Sequence, residues 1–414
     1  MSRINTLELF AGCGGLLDGL KQTDKIDTLA CVEWEKEQCK VLKNRLQSKY
    51  GYNNADEIVM RFDIQRTEEL LNGWFDDDYG QSKGLVEIVG DKKVQVISGG
   101  PPCQAYSLAG RIQDPNNMNN DYRNFLFESY LKVVEKFQPD IFVFENVEGI
   151  LSASPGGINI IERIKEDFSN VDYEIVDDVR KFALIDLSEY GVPQKRKRVI
   201  LVGIKKKGLE HLDIQDILHN FYTKILVNYK DSQRTVYDAI HDLPKLYPIA
   251  EGCDDQLRSK KKLSHITAES NIPQHIPRYH NARDIEIFRE LAEDIESGRN
   301  EYTSTKALQE LYTLRTGKQS NIHKYNVLRW DKPSNTIPAH LKKDGLRHIH
   351  PDPKQARSIT VREAARLQTF DDDFIFSGIA SKDYEMIGNA VPPKFGLALG
   401  NAIIELLEDI NNKK

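Results

Sequence analysis

The stretch LELFAGCGGLLDGL, residues 7–20, decides how the rest of the chain is read. It begins apolar enough for a buried strand, turns through glycines, and ends with helical spacing. Gly12, Gly14 and Gly15 let the backbone bend sharply and let a ligand approach a helix N-terminus, where unpaired N–H groups collect. The dinucleotide fingerprint G-x-G-x-x-G needs a third glycine at position 17, where Leu17 stands. The turn therefore suits a nucleoside better than a pyrophosphate.

Outward from this turn, short apolar runs alternate with polar helical stretches. The runs are TLELF (6–10), TLACVEW (28–34), EIVMRFDI (57–64), VQVISGG (94–100), DIFVFENV (140–147), VRKFALID (179–186) and RVILVGI (198–204). Strands separated by helices predict βαβ units, an α/β fold and a doubly wound, mostly parallel sheet buried on both faces. After Ile204 the rhythm stops. Residues 205–325 carry lysines at 205–207 and 260–262 and histidines at 265, 275 and 280, which predicts a second, smaller and irregular domain. From about residue 329 the apolar pattern returns, and 361–368 and 395–410 read as helices. The first should start at Thr360, with Glu363 completing a capping box.

Composition narrows the class. The 414 residues hold 57 Lys and Arg against 63 Asp and Glu, a net charge of −6. No apolar run nears the length of a membrane span, and MSRINTLELF enters a strand pattern too early for a signal peptide, so no membrane role is expected. Five scattered cysteines without a C-x-x-C pair argue against a disulfide framework or a zinc site, for no metal, and for a reducing cytoplasm. The histidines lack ligand spacing and read as structural or phosphate-facing. Charge is uneven: residues 1–192 are acidic, 193–280 basic, and the rest balanced. Ordinary surface variation gives such a count, and so does a surface that meets a polyanion.

The strand ends carry the chemistry. Glu33 is placed to hydrogen-bond a ribose, Trp34 to face an adenine ring, and Asp63 to accept from an adenine amino group. One acid at a strand end is commonly just exposed. Three candidates in successive corners point to a nucleoside cofactor such as S-adenosyl-L-methionine. In GGPPCQA (99–105), Cys103 is either a buried structural thiol or a nucleophile held at the carboxyl end of a central strand by Pro101 and Pro102. Glu145 stands at the equivalent corner of the 140–147 run. Thiolate and carboxylic acid together suit one reaction. The thiolate adds to carbon 6 of cytosine, the acid serves ring nitrogen 3, and carbon 5 becomes nucleophilic enough to take a methyl group.

At this point the chain resembles the cytosine-5 DNA methyltransferases, in particular prokaryotic modification enzymes. The matching motifs are LELFAGCGG, VEW, FDI, GGPPCQAYS, DYRNFLF, FENV, YGVPQKRKRVILVG, PSNTIPAH, REAARLQTF and IGNAVPP, spread from residue 7 to 393. The resemblance implies Cys103 as nucleophile, Glu145 as the acid, and Arg198 against a flipped cytosine with Gln194 and Arg196 in support. It implies an S-adenosylmethionine site, releasing S-adenosyl-L-homocysteine, built from Phe10, Ala11, Gly12, Gly14, Glu33, Trp34, Asp63, Ile64, Pro102, Leu126, Asn389 and Val391. Residues 105–123 would form a lid over the flipped base, with Gln104, Ser107, Arg111, Arg123 and Thr336 toward the DNA. A solvated charge run remains the plain reading of 195–198, an inert surface loop that of 105–123, and a strand residue that of Thr336.

The implied organisation is a Rossmann-like catalytic domain over 1–204, a DNA-recognition domain over 205–345, and a segment, 346–414, returning to the catalytic domain. Double-stranded DNA is the expected partner of a monomer in a prokaryotic, nucleoid-associated restriction-modification setting, a cognate restriction endonuclease acting separately. Three rivals stay open. A transfer-RNA cytosine-5 methyltransferase would share the core, although PPCQAYSLAGR differs from the PPCQPFTR-like run of that subfamily. A non-catalytic DNA-binding relative would keep the fold alone. A nicotinamide-dependent oxidoreductase is disfavoured by Leu17.

Overall fold

Five parallel strands with an antiparallel edge carry the first half of the chain. The computed structural model describes residues 3–101, 126–154, 157, 159–249, 263–266, 272–319 and 325–413. In chain order the strands up to Lys205 are β1 (Ile4–Leu9), β2 (Ile26–Glu33), β3 (Val59–Arg61), β4 (Trp74–Asp76), β5 (Gly80–Ser82), β6 (Val96–Gly99), β7 (Ile141–Val147), β8 (Tyr173–Ile175), β9 (Leu184–Asp186) and β10 (Lys197–Lys205). The main sheet runs β3-β2-β1-β6-β7-β10-β8, with β9 also on β10. Strands β3 to β7 of that order pair in parallel, whereas β10 is antiparallel to β7, β8 and β9. The chain builds outward from β1 to β3, then starts again at β6 in the other direction. The switch point therefore lies between β1 and β6, where open α/β sheets receive ligands at the carboxyl ends of the strands.

Two expected strands are shorter than the apolar runs. Ala55–Ile58 is helical, which leaves only Val59–Arg61 of the 57–64 run as strand. In the 179–186 run the Asp178 side chain accepts from the Lys181 N–H and caps a helix, Val179–Phe182, so only Leu184–Asp186 is strand. Strand β8 and the β4–β5 hairpin were not anticipated, being too short to show a period.

Two compact units emerge: Met1–Gly191, Arg196–Ser232 and Ala390–Lys414 make the first, Val192–Lys195 and Gln233–Asn389 the second. Residues 205–232 lie in the first unit, and of the 346–414 segment only 390–414 does.

In the first unit the helix Gly15–Lys21 is held from two sides. Asp18 within it accepts from Arg45 Nε at 2.6 Å and from the Tyr50 hydroxyl at 2.8 Å, a buried pair with all its oxygens engaged. Across its other side runs the helix Pro393–Lys413, longer than the expected 395–410. A Cβ on Gly19 would stand 2.2 Å from the Pro393 carbonyl oxygen and 2.6 Å from Gly396 Cα, so the backbones touch where no side chain fits. Within Ala380–Lys413 an 18-residue stretch is apolar enough by composition to cross a bilayer, and 72 % of it is buried inside the protein.

The second unit packs Ile287, Phe288 and Leu291 of helix Ala282–Glu296 against Leu308 and Leu311 of helix Thr305–Thr316, with Tyr325, Val327 and Ile349. Helix Val361–Leu367 begins at Thr360 with the capping box to Glu363, as expected. Glu363 is buried and takes both Arg357 terminal nitrogens at 2.7 Å. Burial would push its carboxyl up, but the Arg357 pairing outweighs that and holds it far below the ordinary range. His265, His275 and His280 are all buried and hydrogen-bonded, to Gln355 O, to Thr360 Oγ1 and Pro244 O, and to Ser358.

Candidate active site

Strand β1 ends in a tight turn. Phe10 has φ 54°, Gly12 59° and Gly14 90°, so the chain makes three left-handed steps within five residues before the helix begins at Gly15. At Gly14 a Cβ would also strike Leu42 Cδ1 at 2.6 Å. Ala11 is buried and ties the turn to β2 through its N–H on Val32 O at 3.1 Å. Glu33, buried at the end of β2, accepts from the N–H groups of Gly12, Trp34 and Glu35, each at 2.9 Å. Burial pushes its carboxyl pKa up, and these three bonds pull against that. A carboxylate has about four acceptor positions, so one remains after three bonds, enough for a ribose hydroxyl.

Trp34 beside it is 48 % exposed, a ring face open to a flat partner. At the end of β3, Asp63 Oδ1 accepts from Gln65 N at 3.0 Å, while Ile64 is buried. Leu126, also buried, opens the helix Leu126–Phe137. Val391 is buried in this unit; Asn389 ends a helix of the other unit. The donor set of this first unit fits a nucleoside: an anchored acid, an exposed indole and a second acid in neighbouring corners.

The next corner lies at the ends of β6 and β7. A Cβ on Gly100 would stand 2.6 Å from Glu145 Oε2, and one on Gly99 2.5 Å from Leu9 O, so both glycines are demanded by close approach. Asn146 Nδ2 donates to Pro101 O at 3.3 Å, which fastens the segment leading toward Cys103. Arg198 Nε meets Glu145 Oε1 at 2.9 Å, with both side chains largely buried. Arg196 is buried and donates through Nη2 to Ala390 O at 3.0 Å. Burial lowers the pKa of both guanidiniums; Glu145 offsets this for each, most directly at Arg198. Glu145 is thus paired directly with Arg198 of β10, whereas Arg196 lies just before that strand.

Gln194 is fully buried in the second unit, where its Oε1 accepts from Ile337 N at 3.0 Å and its Nε2 donates to Gln368 Oε1. Thr336 Oγ1 donates to Lys195 O. Pro102, Cys103, Gln104, Ser107, Arg111, Arg123 and the whole 105–123 stretch lie outside the described residues, as do lysines 260–262. Among the described residues no group of His, Cys, Asp and Glu is arranged to hold a metal.

A family profile described as C-5 cytosine-specific DNA methylase matches residues 4–405, nearly the whole chain. The chain belongs to that family. This C-5 cytosine methylase is 32 % identical to the type II methyltransferase M.Bpa9945I of Bacillus paralicheniformis, over 97 % of this chain and 98 % of the relative. It is 28 % identical to the type II methyltransferase M.DdeI of Desulfomicrobium norvegicum, over 99 % and 90 %. Among solved structures it resembles a protein described as a prophage-encoded DNA modification methyltransferase from E. coli, with TM-score 0.60, 25 % identity and coverage of 98 % and 99 %. The fold is also that of the Dnmt2 methyltransferase of S. pombe, with TM-score 0.55, 15 % identity and coverage of 99 % and 100 %. The methylase acts on DNA, methylating cytosine at carbon 5, and its family draws the methyl group from S-adenosylmethionine.

Two residues of this candidate site were not singled out by the sequence reading. Gly100 and Asn146 touch Glu145 and Pro101 through space, and only their placement beside PPC and within FENV could have marked them.

Proposed function

We propose that this methylase modifies cytosine within one short double-stranded DNA sequence, through a transient bond from Cys103, in a restriction-modification setting with a separate nuclease. The observation that supports this most is Glu145, gripped by Arg198 at 2.9 Å and packed against the Gly100 backbone three residues before Cys103. In this reading the flipped base sits with carbon 6 at the thiolate and nitrogen 3 at Glu145. Sulfur bonds to carbon 6 as Glu145 supplies hydrogen-bond or proton support at nitrogen 3, and the displaced π electrons collect at carbon 5. Carbon 5 takes the methyl group. A base then removes the carbon 5 proton, the electron pair re-forms the ring double bond, and the thiolate leaves.

S-adenosylmethionine, when bound, supplies an electrophilic methyl group; Glu33 would hold its ribose, Trp34 and Asp63 its adenine, and the Gly12–Gly14 turn would let it approach closely. Phe10, Ala11, Ile64, Pro102, Leu126, Asn389 and Val391 would complete that site. The second unit, with Thr336 and Gln194, would meet DNA, as would 105–123 with Gln104, Ser107, Arg111 and Arg123. The relatives named type II methyltransferases support the modification role.

The test is label transfer from methyl-labelled S-adenosylmethionine to genomic DNA, followed by bisulfite sequencing. Methylation at one short motif is expected. Label confined to transfer RNA would overturn the reading. Cys103→Ser should abolish transfer while retaining specific DNA binding, and turnover by that variant would remove Cys103 from its role.

A further inference from the structure

The β4–β5 hairpin stands outside the main sheet, yet it is bolted to the two corners assigned to adenine. Trp74 of β4 stacks on Phe62 with ring centroids 4.0 Å apart and planes 25° from parallel. Phe62 immediately precedes Asp63, and its own N–H donates to Glu33 O at 3.1 Å. Arg61 reaches both ways: Nε donates to Trp34 O at 3.3 Å, and Nη1 to Asp78 O in the hairpin turn at 2.7 Å. Arg66 donates through Nη1 to Asp76 Oδ2 at 2.6 Å and through Nε to Glu69 at 2.8 Å, with its guanidinium 4.8 Å above the Phe62 ring. Its backbone N–H closes the turn that follows Asp63 by donating to Asp63 O at 3.1 Å. Asp76 Oδ1 in turn takes the N–H groups of Asp78 and Tyr79, and Tyr79 lies 5.0 Å under Arg61.

A surface decoration needs none of this. The two arginines join the residue after Glu33 and the residue around Asp63 to one rigid ribbon, so neither corner can shift without breaking charged hydrogen bonds. Such bonds are stronger than neutral ones, and guanidiniums stacked on rings lose little freedom in making them. We propose that this hairpin is a positioning element for the nucleoside half of S-adenosylmethionine, with Arg61 and Arg66 fixing the separation of Trp34 and Asp63 so that a purine fits between them. The proposal rests on the cofactor site described above.

Calorimetric titration with S-adenosylhomocysteine tests it without turnover. Arg61→Ala and Arg66→Ala should each bind roughly tenfold more weakly. KM for S-adenosylmethionine should rise in parallel, while kcat at saturation and KM for DNA stay within about twofold. Partial unfolding would instead lower the binding stoichiometry and kcat, leaving the affinity of the folded molecules intact. Asp76→Asn keeps the turn but loses the charge on Arg66, and should weaken binding in the same direction by less. Phe75→Ala, on the outer face where Phe75 is 85 % exposed, should bind as the wild type does. Failure of the wild type to bind S-adenosylhomocysteine would overturn the cofactor site itself. Wild-type affinity in both arginine variants, with binding lost in Trp34→Ala, would overturn the hairpin's role and leave the site standing. A loss in Phe75→Ala equal to that in Arg66→Ala would also overturn it, since the outer surface rather than the clamp would then matter.

Discussion

Gly100 sets the spacing between Glu145, the proposed acid, and the segment that leads to Cys103, the proposed nucleophile. Adding one methyl there places carbon 2.6 Å from Glu145 Oε2, closer than any real contact allows, so either the carboxyl or the backbone must move. Gly100→Ala should therefore cut kcat by a hundredfold or so, since misplacement by about 1 Å costs that much. Its melting temperature should stay near that of the wild type, and full activity in the variant would show that the corner tolerates a shift. Glu145→Gln keeps shape and loses charge. It should stop turnover while Arg198, left facing a neutral amide, still folds into β10; an unchanged rate would remove Glu145 from the mechanism. At this scale the sequence is legible where residue type is itself the chemistry. Glu145 near the end of its strand and Arg198 could be singled out by residue type and position, and the structure brings the two together. Gly100 and Asn146 could not be, because their contribution is a distance to a residue some 45 positions away. The same holds for Gln194, whose partners Ile337 and Gln368 no local pattern could reveal.

Among the elements, the long buried strands β1, β2, β7 and β10 follow directly from their apolar runs, and the Thr360 cap follows from its spacing to Glu363. What sequence could not give is pairing sense. β10 is as apolar as its neighbours, yet it enters antiparallel between β7 and β8 because the preceding chain returns through the short β9. Three-residue strands leave no period to read. The glycine contact between helices Gly15–Lys21 and Pro393–Lys413 was equally hidden, since GLALG looks like any apolar helix until Gly19 is found against it. Gly19→Ala should cost about 1–3 kcal/mol by overpacking. That lowers the melting temperature by several degrees in a unit of this size, readable by circular dichroism. No change would mean that the two helices can slide apart at little cost.

For the molecule as a whole, acid should reach the second unit first. Burial lowers the pKa of His265 and His348 to about 4 and of His280 and His350 to about 3, and lowers that of His275 as well. Below the ordinary histidine value of about 6.5 the unfolded chain takes up protons that the folded one refuses. Their stabilisation is thus fully present above that pH and falls as pH drops toward 4, by about 1.4 kcal/mol per pH unit for each proton. Carboxyls raised by burial oppose this. Glu8 of β1, pushed up to about 8 despite its bond to Ser98, holds a proton when folded between about 4.5 and 8, and Glu33 and Asp383 shift in the same direction. The histidines outnumber them, and all five belong to the second unit, whereas Glu8 and Glu33 belong to the first. Scanning calorimetry from pH 7.5 to 5 should show one transition falling well ahead of the other; two transitions unmoved by pH would contradict the argument.

The chain's path between units, at 191, 195, 232 and 389, is the part least visible in its sequence, because apolar rhythm records burial and not which core does the burying. It also imposes an order on manufacture. The helix Gly15–Lys21 finds its glycine partner only when residues 393–413 have left the ribosome, tens of seconds later at ordinary rates of elongation. Until then the glycine turn sits on a helix covered on one side only, so a nascent or truncated chain should hold its proposed cofactor poorly and leave the genome unmarked.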